Sequence, residues 1–233
     1  MSRGIRRGVV SLGLGAIAAA GAQAQQLAGP TSTAVPPAPV VLDTTGLFLA
    51  KFVKVGDDVS IAGQPTERAL RELKAQGVTT VVNLRSPIEM ERYVPFDEPA
   101  LIKSLGMRYV YLPMRGTPDL PYSPQAVKDF AAAMKAAEGK VLLHCTIAWR
   151  ASHLWAAYLI EERQVPVATA LEHTRAINLM DDHRMDGDKQ PLELFLGPRG
   201  AGTGSSHSTL AAAVTHSRET PAGSVLPRRE TQR

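Results

Sequence analysis

Residues 141–150 constrain the fold more than any other stretch. Val141, Leu142 and Leu143 form an unbroken apolar run, which reads as a buried strand. It stops at His144, and a helical pattern begins near Arg150, with Leu154, Trp155, Tyr158 and Leu159 on one face. Between strand and helix lies Cys145, the only cysteine of the chain. A thiol at a helix N-terminus meets the positive end of the helix dipole and unpaired backbone N–H groups, and both favour the thiolate. The same N–H groups, from Thr146, Ile147, Ala148, Trp149 and Arg150, can curl into a nest for an anion. The Arg150 guanidinium can present a planar fork to two of that anion's oxygens. The expected chemistry is a thiolate acting on a tetrahedral anion, with phosphoryl transfer the leading case.

The rest of the chain repeats strand and helix patterns. Phe52-Val53-Lys54-Val55 and Val59-Ser60-Ile61 flank Gly56-Asp57-Asp58 and predict a hairpin. Thr66 caps a helix that carries Leu70 and Leu73 and stops at Gly77. The β-branched run 78–84 predicts a strand ending before Arg85, Ser86 and Pro87. Asp97 and Pro99 start a short helix that Gly106 ends, and residues 107–112 form the next strand. A loop with Pro113, Gly116, Pro118, Asp119 and Pro121 leads to Ser123 and Pro124. These open a helix with Val127, Phe130, Ala131 and Met134, closed by Gly139. A last helix is expected over 168–179. Short connections between alternating elements predict an α/β fold, with a mostly parallel central sheet flanked by helices. In such sheets ligands bind beyond the carboxyl ends of the strands. Arg85, the 113–121 loop and Cys145 all follow strands at that edge.

Charge and composition bound the partners and the compartment. The net charge of the 233 residues is +4. Arg3, Arg6 and Arg7 supply +3, and five arginines against two glutamates from Arg199 onward supply another +3. Removing both contributions leaves −2 for the middle, so no basic patch points to nucleic acid. Residues 1–24 read as a signal peptide: a basic start, an apolar run over 8–20, then Ala20-Gly21-Ala22-Gln23-Ala24, with cleavage after Ala22 or Ala24. That run is shorter than the ~20 residues a membrane span needs, so no stable span is expected after cleavage. The expected location is periplasmic or secreted, in a bacterium. Residues 25–46 are expected to be a disordered spacer, 47–196 the folded domain and 197–233 a disordered tail. In an oxidising compartment structural cysteines come in pairs. A lone Cys145 is therefore inert filler or a working thiol, and its place before a helix, with an arginine nearby, favours work.

Phosphoryl transfer to cysteine needs a nucleophile, donors for the equatorial oxygens and an acid for the leaving group. Cys145 and the loop with Arg150 meet the first two needs. His144 is a candidate for orienting the loop. Asp119, in the proline-rich loop at the same edge, is the candidate acid. Asp97 and Asp129 read as a helix cap and a helix-surface residue, and Arg85 as a structural partner. Asp182, Asp186, Asp188 and Glu193 loosely follow calcium-loop spacing, but Arg184 holds a ligand position and Pro191 intrudes. They are read as a solvated acidic turn. No metal and no cofactor is expected.

Gly63-Gln64-Pro65-Thr66, Val82-Asn83-Leu84-Arg85, Leu105-Gly106-Met107-Arg108-Tyr109, His144-Cys145 through Arg150, and Leu154-Trp155 together resemble the beta-lactamase hydrolase-like phosphatase family. This is a bacterial branch of the cysteine-dependent, dual-specificity-like phosphatases. The similarity covers residues 52–179. It implies a cysteine-phosphatase-like α/β fold, with Cys145 at the nucleophile position and Arg150 at the phosphate-binding arginine. The implied partner is a phosphorylated protein or small phosphoester. Four residues separate Cys145 from Arg150, where tyrosine phosphatases typically have five. The shorter loop also occurs in rhodanese-like sulfurtransferases, so a Cys145 persulfide and a catalytically impaired anion- or phosphoprotein-binding module stay open beside phosphatase chemistry. Ala148 stands where the family usually has glycine. If that position needs a positive φ, alanine costs about 1 kcal/mol. Trp149 replaces a small or polar residue, and Ala151 replaces the hydroxyl that often follows the arginine.

Overall fold

The computed structural model describes residues 35–180 and 191–198. The leader over 1–24, the acidic turn over 182–188 and nearly all of the C-terminal tail lie outside the described residues. Among those described, six strands form one sheet: β1 (Pro39–Val41), β2 (Phe52–Val55), β3 (Val59–Ala62), β4 (Val78–Asn83), β5 (Arg108–Tyr111) and β6 (Lys140–His144). Their order is β1-β2-β3-β6-β4-β5. The β1–β2 and β2–β3 pairs are antiparallel; β3–β6, β6–β4 and β4–β5 are parallel. The expected α/β class and mostly parallel sheet are therefore present. β1 corrects one expectation: the segment read as spacer contributes an edge strand, pairing Val40 with Lys54.

Among the described residues, seven helices accompany the sheet: α1 (Glu67–Ala75), α2 (Pro87–Tyr93), α3 (Glu98–Ser104), α4 (Pro124–Lys135), α5 (Trp149–Glu161), α6 (Val167–Arg175) and α7 (Pro191–Leu196). The strands alternate their side chains between two cores, as a period of two requires. Val81 and Leu142 join Leu70, Leu73 and Ile102 beneath α1 and α3. Val82, Val141 and Leu143 join Phe130, Leu154, Trp155, Leu171 and Phe195 on the other face. With both faces covered, the interior strands read as apolar runs without alternation.

α5 is the central helix of the second face. Every residue from Arg150 to Ile160 is buried, because α4, α6, α7 and β3 all pack against it. One apolar face was expected, and the helix instead needs small or apolar residues all round. Ala151, Ala156 and Ala157 supply the small ones.

Register brings the functional edge together. Ala62 and Asn83 both pair with His144, and Asn83 also pairs with Tyr111. The turns that continue from Ala62, Asn83 and His144 thus leave the sheet side by side. They carry Gly63-Gln64, Leu84-Arg85 and Cys145-Thr146.

Candidate active site

Cys145 is 1% exposed at the end of β6, and its N–H donates to the Ala62 carbonyl at 3.3 Å. The loop after it is fixed from several sides. The Thr146 carbonyl accepts from the Gln64 N–H at 3.0 Å. The Ile147 carbonyl accepts from Asn178 Nδ2 at 2.6 Å. Gly63 makes the first contact possible: a Cβ there would lie 1.6 Å from the Leu49 oxygen and 2.8 Å from the Thr146 oxygen. Two backbone segments approach more closely than any side chain allows.

Ala148 is the N-cap of α5, with φ 67° and ψ 0°. This is the left-handed region, which glycine adopts more readily than alanine. The turn lets the chain reverse from loop into helix within one residue, at a cost of about 1 kcal/mol for a residue with a Cβ. Ala148 offers no side-chain cap to the first helical N–H groups. Among the described residues, no hydrogen bond engages the N–H groups of Thr146, Ile147 or Arg150, so these donors stay free for a bound anion. Trp149 opens α5 with its ring edge-on to His153, 5.0 Å between centroids.

Arg150 is 7% exposed. Nη1 donates to Glu89 Oε2 at 2.9 Å, to the Met114 carbonyl at 2.8 Å and to the Leu84 carbonyl at 3.2 Å. Nη2 donates to Glu89 Oε1 at 2.6 Å and to Thr146 Oγ1 at 2.9 Å. Both Nη groups are thereby committed within the protein, while no protein group engages Nε–H among the described residues. Burial disfavours the guanidinium charge, but the Glu89 hydrogen bond and the nearby Cys145 outweigh it and raise the pKa above its ordinary value. Glu89 responds in the opposite sense. Burial pushes its carboxyl up, but Arg150 and the Thr146 hydroxyl (2.7 Å) win and hold it at about 2.

The sequence reading missed Glu89 and the helix that carries it. Ser86 caps α2, and Glu89 Oε2 accepts from the Ser86 N–H at 2.9 Å and from its hydroxyl at 2.7 Å. The Ser-Pro-Ile-Glu spacing is a capping-box pattern with proline at the first helical position, so the signal was present in the sequence.

His144 and Arg85 belong to a second buried cluster that continues from the first. His144 Nε2 faces Glu98 Oε1 at 3.1 Å, and both side chains are 0% exposed. Glu98 also accepts from Asn83 Nδ2 at 2.9 Å and from Gln64 Nε2 at 2.5 Å. Burial opposes its charge; His144 and these amides outweigh burial and hold its pKa below the ordinary value. An ionised Glu98 requires the proton on His144 Nε2, which leaves Nδ1 without a partner in the interior. Gln64 passes the connection on: its Oε1 accepts from Arg85 Nη1 at 2.7 Å. Arg85 Nη2 then donates to the Glu89 carbonyl at 3.2 Å. Arg85 is thus the structural partner expected of it. His144 is held at the end of β6 by Glu98 on α3.

Asp119 stands apart from this cluster. It is exposed, in a turn bridged between Thr117 and Leu120. The Thr117 hydroxyl holds its carboxyl below the usual value. No hydrogen bond joins it to Cys145, Arg150 or Glu89 among the described residues. Asp97 caps α3, as expected, accepting from the Ala100 N–H at 3.0 Å. Asp129 lies on the surface of α4, bonded to Gln125 at 2.8 Å.

Residues 51–160 match the family model described as beta-lactamase hydrolase-like protein, phosphatase-like domain. A beta-lactamase hydrolase-like protein of Xylella fastidiosa strain Temecula1 is 31% identical over 107 residues, covering 46% of this chain and 24% of its own. One from Agrobacterium fabrum strain C58 is 32% identical over 108 residues, with 45% and 24% covered. The chain therefore spans about a quarter of the length of these curated relatives. Among solved structures, TpbA of P. aeruginosa is similar over 63% of this chain and 83% of its own, with 20% identity and a TM-score of 0.47. The family resemblance read from the motifs holds over the segment that contains them.

Proposed function

We propose, from the match of residues 51–160 to the phosphatase-like domain of beta-lactamase hydrolase-like proteins, that this chain hydrolyses a phosphate monoester through a Cys145 phosphoenzyme. The observation that carries the reading is the loop between β6 and α5. It sets Cys145 at the strand end, unengaged N–H groups after it and an Arg150 already oriented by Glu89.

In the first step the Cys145 thiolate attacks phosphorus. An S–P bond forms as the P–O bond to the alcohol breaks. The loop N–H groups and Arg150 Nε–H stabilise the charge on the equatorial oxygens. The departing alkoxide takes a proton from Asp119, the one carboxyl of the 113–121 loop, which must be carried inward and protonated to act. Glu89 and Glu98 do not serve as that acid, since their carboxylate oxygens are committed to Arg150, Ser86 and Thr146 and to His144, Asn83 and Gln64. In the second step water attacks phosphorus, gives its proton to the Asp119 carboxylate, and the S–P bond breaks to return thiolate and inorganic phosphate. His144 and Arg85 position the loop through Glu98, Gln64 and Glu89. The basic, apolar leader supports an exported enzyme acting in the periplasm or outside the cell.

The test is turnover of a panel of phosphate monoesters by purified protein and by Cys145→Ser. Activity lost in the variant, with a trapped S-phosphoryl adduct on Cys145 in rapid-quench mass spectrometry, is the expected result. Activity that persists in Cys145→Ser, or an added sulfur atom on Cys145 after thiosulfate with no phosphate release, overturns it. N-terminal sequencing of the protein recovered from its native cell tests the leader, with a start just after Ala22 or Ala24 expected.

A further inference from the structure

A cleft of about 820 Å3 opens beside the cysteine loop, with Thr146, Glu89 and Arg85 among its lining residues. Its walls come from three separate segments and are mostly apolar: Phe48, Leu49, Pro65, Tyr93, Pro95 and Phe96. Leu49 is 53% and Tyr93 68% exposed. Large apolar side chains left to solvent around one concavity mark a binding surface. We infer that this cleft is the subsite for the alcohol portion of the substrate, and that this portion is large and apolar.

The inference rests on the phosphatase reading and adds a substrate class to it. Continuity supplies the first reason. Thr146 and Glu89 belong both to the lining of the cleft and to the hydrogen-bond set around Arg150, so the cleft adjoins the loop on which the phosphate would sit. The second reason is the state of the polar groups. Gln64 is spent on Glu98 and Arg85, and Arg85 on Gln64 and the Glu89 carbonyl. Thr66 caps α1, and Arg68 pairs with Glu72 along that helix. Of the two arginines on the walls, Arg85 is buried with both Nη groups bonded inside the protein and only Nε–H without a hydrogen bond, and Arg68 lies on the exposed helix surface beside Glu67 and Glu72; the other walls are mostly apolar. A nucleotide or an inositol polyphosphate would lose water there without replacement partners. An apolar alcohol gains from the same walls by burying surface.

Calorimetry on the full chain carrying Cys145→Ser tests this with five probes: inorganic phosphate, glycerol phosphate, 1-naphthyl phosphate, dodecyl phosphate and inositol hexakisphosphate. At least one of the two apolar esters is expected to bind roughly tenfold or more tightly than glycerol phosphate. Whichever of the two binds better assigns the alcohol as aryl or alkyl. Tyr93→Ala and Phe96→Ala are each expected to cut that ratio roughly threefold or more, with the circular dichroism spectrum unchanged. Tyr93 is exposed enough that its truncation tests the cleft without threatening the fold. Equal binding of glycerol phosphate and both apolar esters overturns the subsite alone, as does a preference that survives both truncations or tighter binding of inositol hexakisphosphate. A native chain that neither binds inorganic phosphate nor turns over any ester overturns the phosphatase reading and the subsite with it.

Discussion

Arg150 and Glu89 meet through two parallel contacts, Nη2 to Oε1 at 2.6 Å and Nη1 to Oε2 at 2.9 Å. The carboxylate sits on α2 and the guanidinium on α5, so the pair ties the loop after β4 to the helix after β6. Arg150 is thus fixed in place without any bound anion, so an anion that met it would not have to order a long side chain.

Removing that carboxylate leaves a buried guanidinium with only neutral partners. Glu89→Ala is expected to lower unfolding free energy in urea by about 3 kcal/mol, the scale for breaking one side of a buried pair. Glu89→Gln keeps one acceptor and costs less. Both variants are expected to raise KM for a phosphate ester, since Arg150 loses its fixed aim. A stability change under about 0.5 kcal/mol would place the pair among exposed surface bridges instead.

Acid weakens the fold through the same group. The Glu89 pKa is about 2 in the folded protein against an ordinary value of 4.5. Its folded pKa is depressed, so the stabilisation is fully present above 4.5 and is lost as pH falls from 4.5 toward 2. Glu98 shifts in the same direction and adds to the loss. Urea titrations at pH 7, 5 and 3 are expected to give similar values at the first two and a clear drop at the third. In Glu89→Gln that drop shrinks. An unchanged value at pH 3 contradicts the assignment.

At Ala148 two effects oppose each other. Glycine would relieve about 1 kcal/mol of left-handed strain but surrender a methyl that is 0% exposed, worth about 0.8 kcal/mol. Ala148→Gly is therefore expected to change stability by less than about 1 kcal/mol. Ala148→Val adds a branched Cβ to a positive-φ, filled position and is expected to cost more than about 2 kcal/mol. Thermal midpoints of the three proteins decide the matter. Equal midpoints for Val and Ala would mean that the loop relaxes out of its left-handed turn.

Asp119 is best tested by its leaving-group dependence. As the acid it matters for an alkyl phosphate, whose alkoxide needs a proton, and little for 4-nitrophenyl phosphate, whose phenolate leaves unaided. Asp119→Asn is expected to lower kcat on the order of 100-fold for the former and only a few-fold for the latter. Equal small losses for both substrates would assign the proton to another donor.

The readable parts of this fold were those fixed by local rules. Val141, Leu142 and Leu143 announced an interior strand because both faces of the sheet are covered, and Thr66 and Ser123 announced helices because each caps its own first turn. Glu89 was readable and went unread: the Ser86 capping box signals a helix, but the fit of its glutamate to Arg150, 61 positions away, does not show in the chain. Glu98 carries no local signal beyond that of an acid in the first turn of α3. Its partners lie 15, 34 and 46 positions away, and only the parallel register of β3, β6 and β4 brings them together. The strand β1 was hidden for a different reason. Three residues in a proline- and alanine-rich stretch become a strand by borrowing hydrogen bonds from β2.

The two buried clusters close on themselves. From His144 the contacts run through Glu98, Gln64, Arg85 and Glu89 to Thr146, and the backbone completes the circuit through Cys145. A loop of contacts, unlike a branch, stays connected when cut once, because each member is still held from the other direction. The Cys145 sulfur therefore sits in a redundant frame. A first lesion anywhere along it is partly absorbed, and a second, on the opposite arc, removes the support that the first left behind. Two such substitutions together cost more than their separate effects predict.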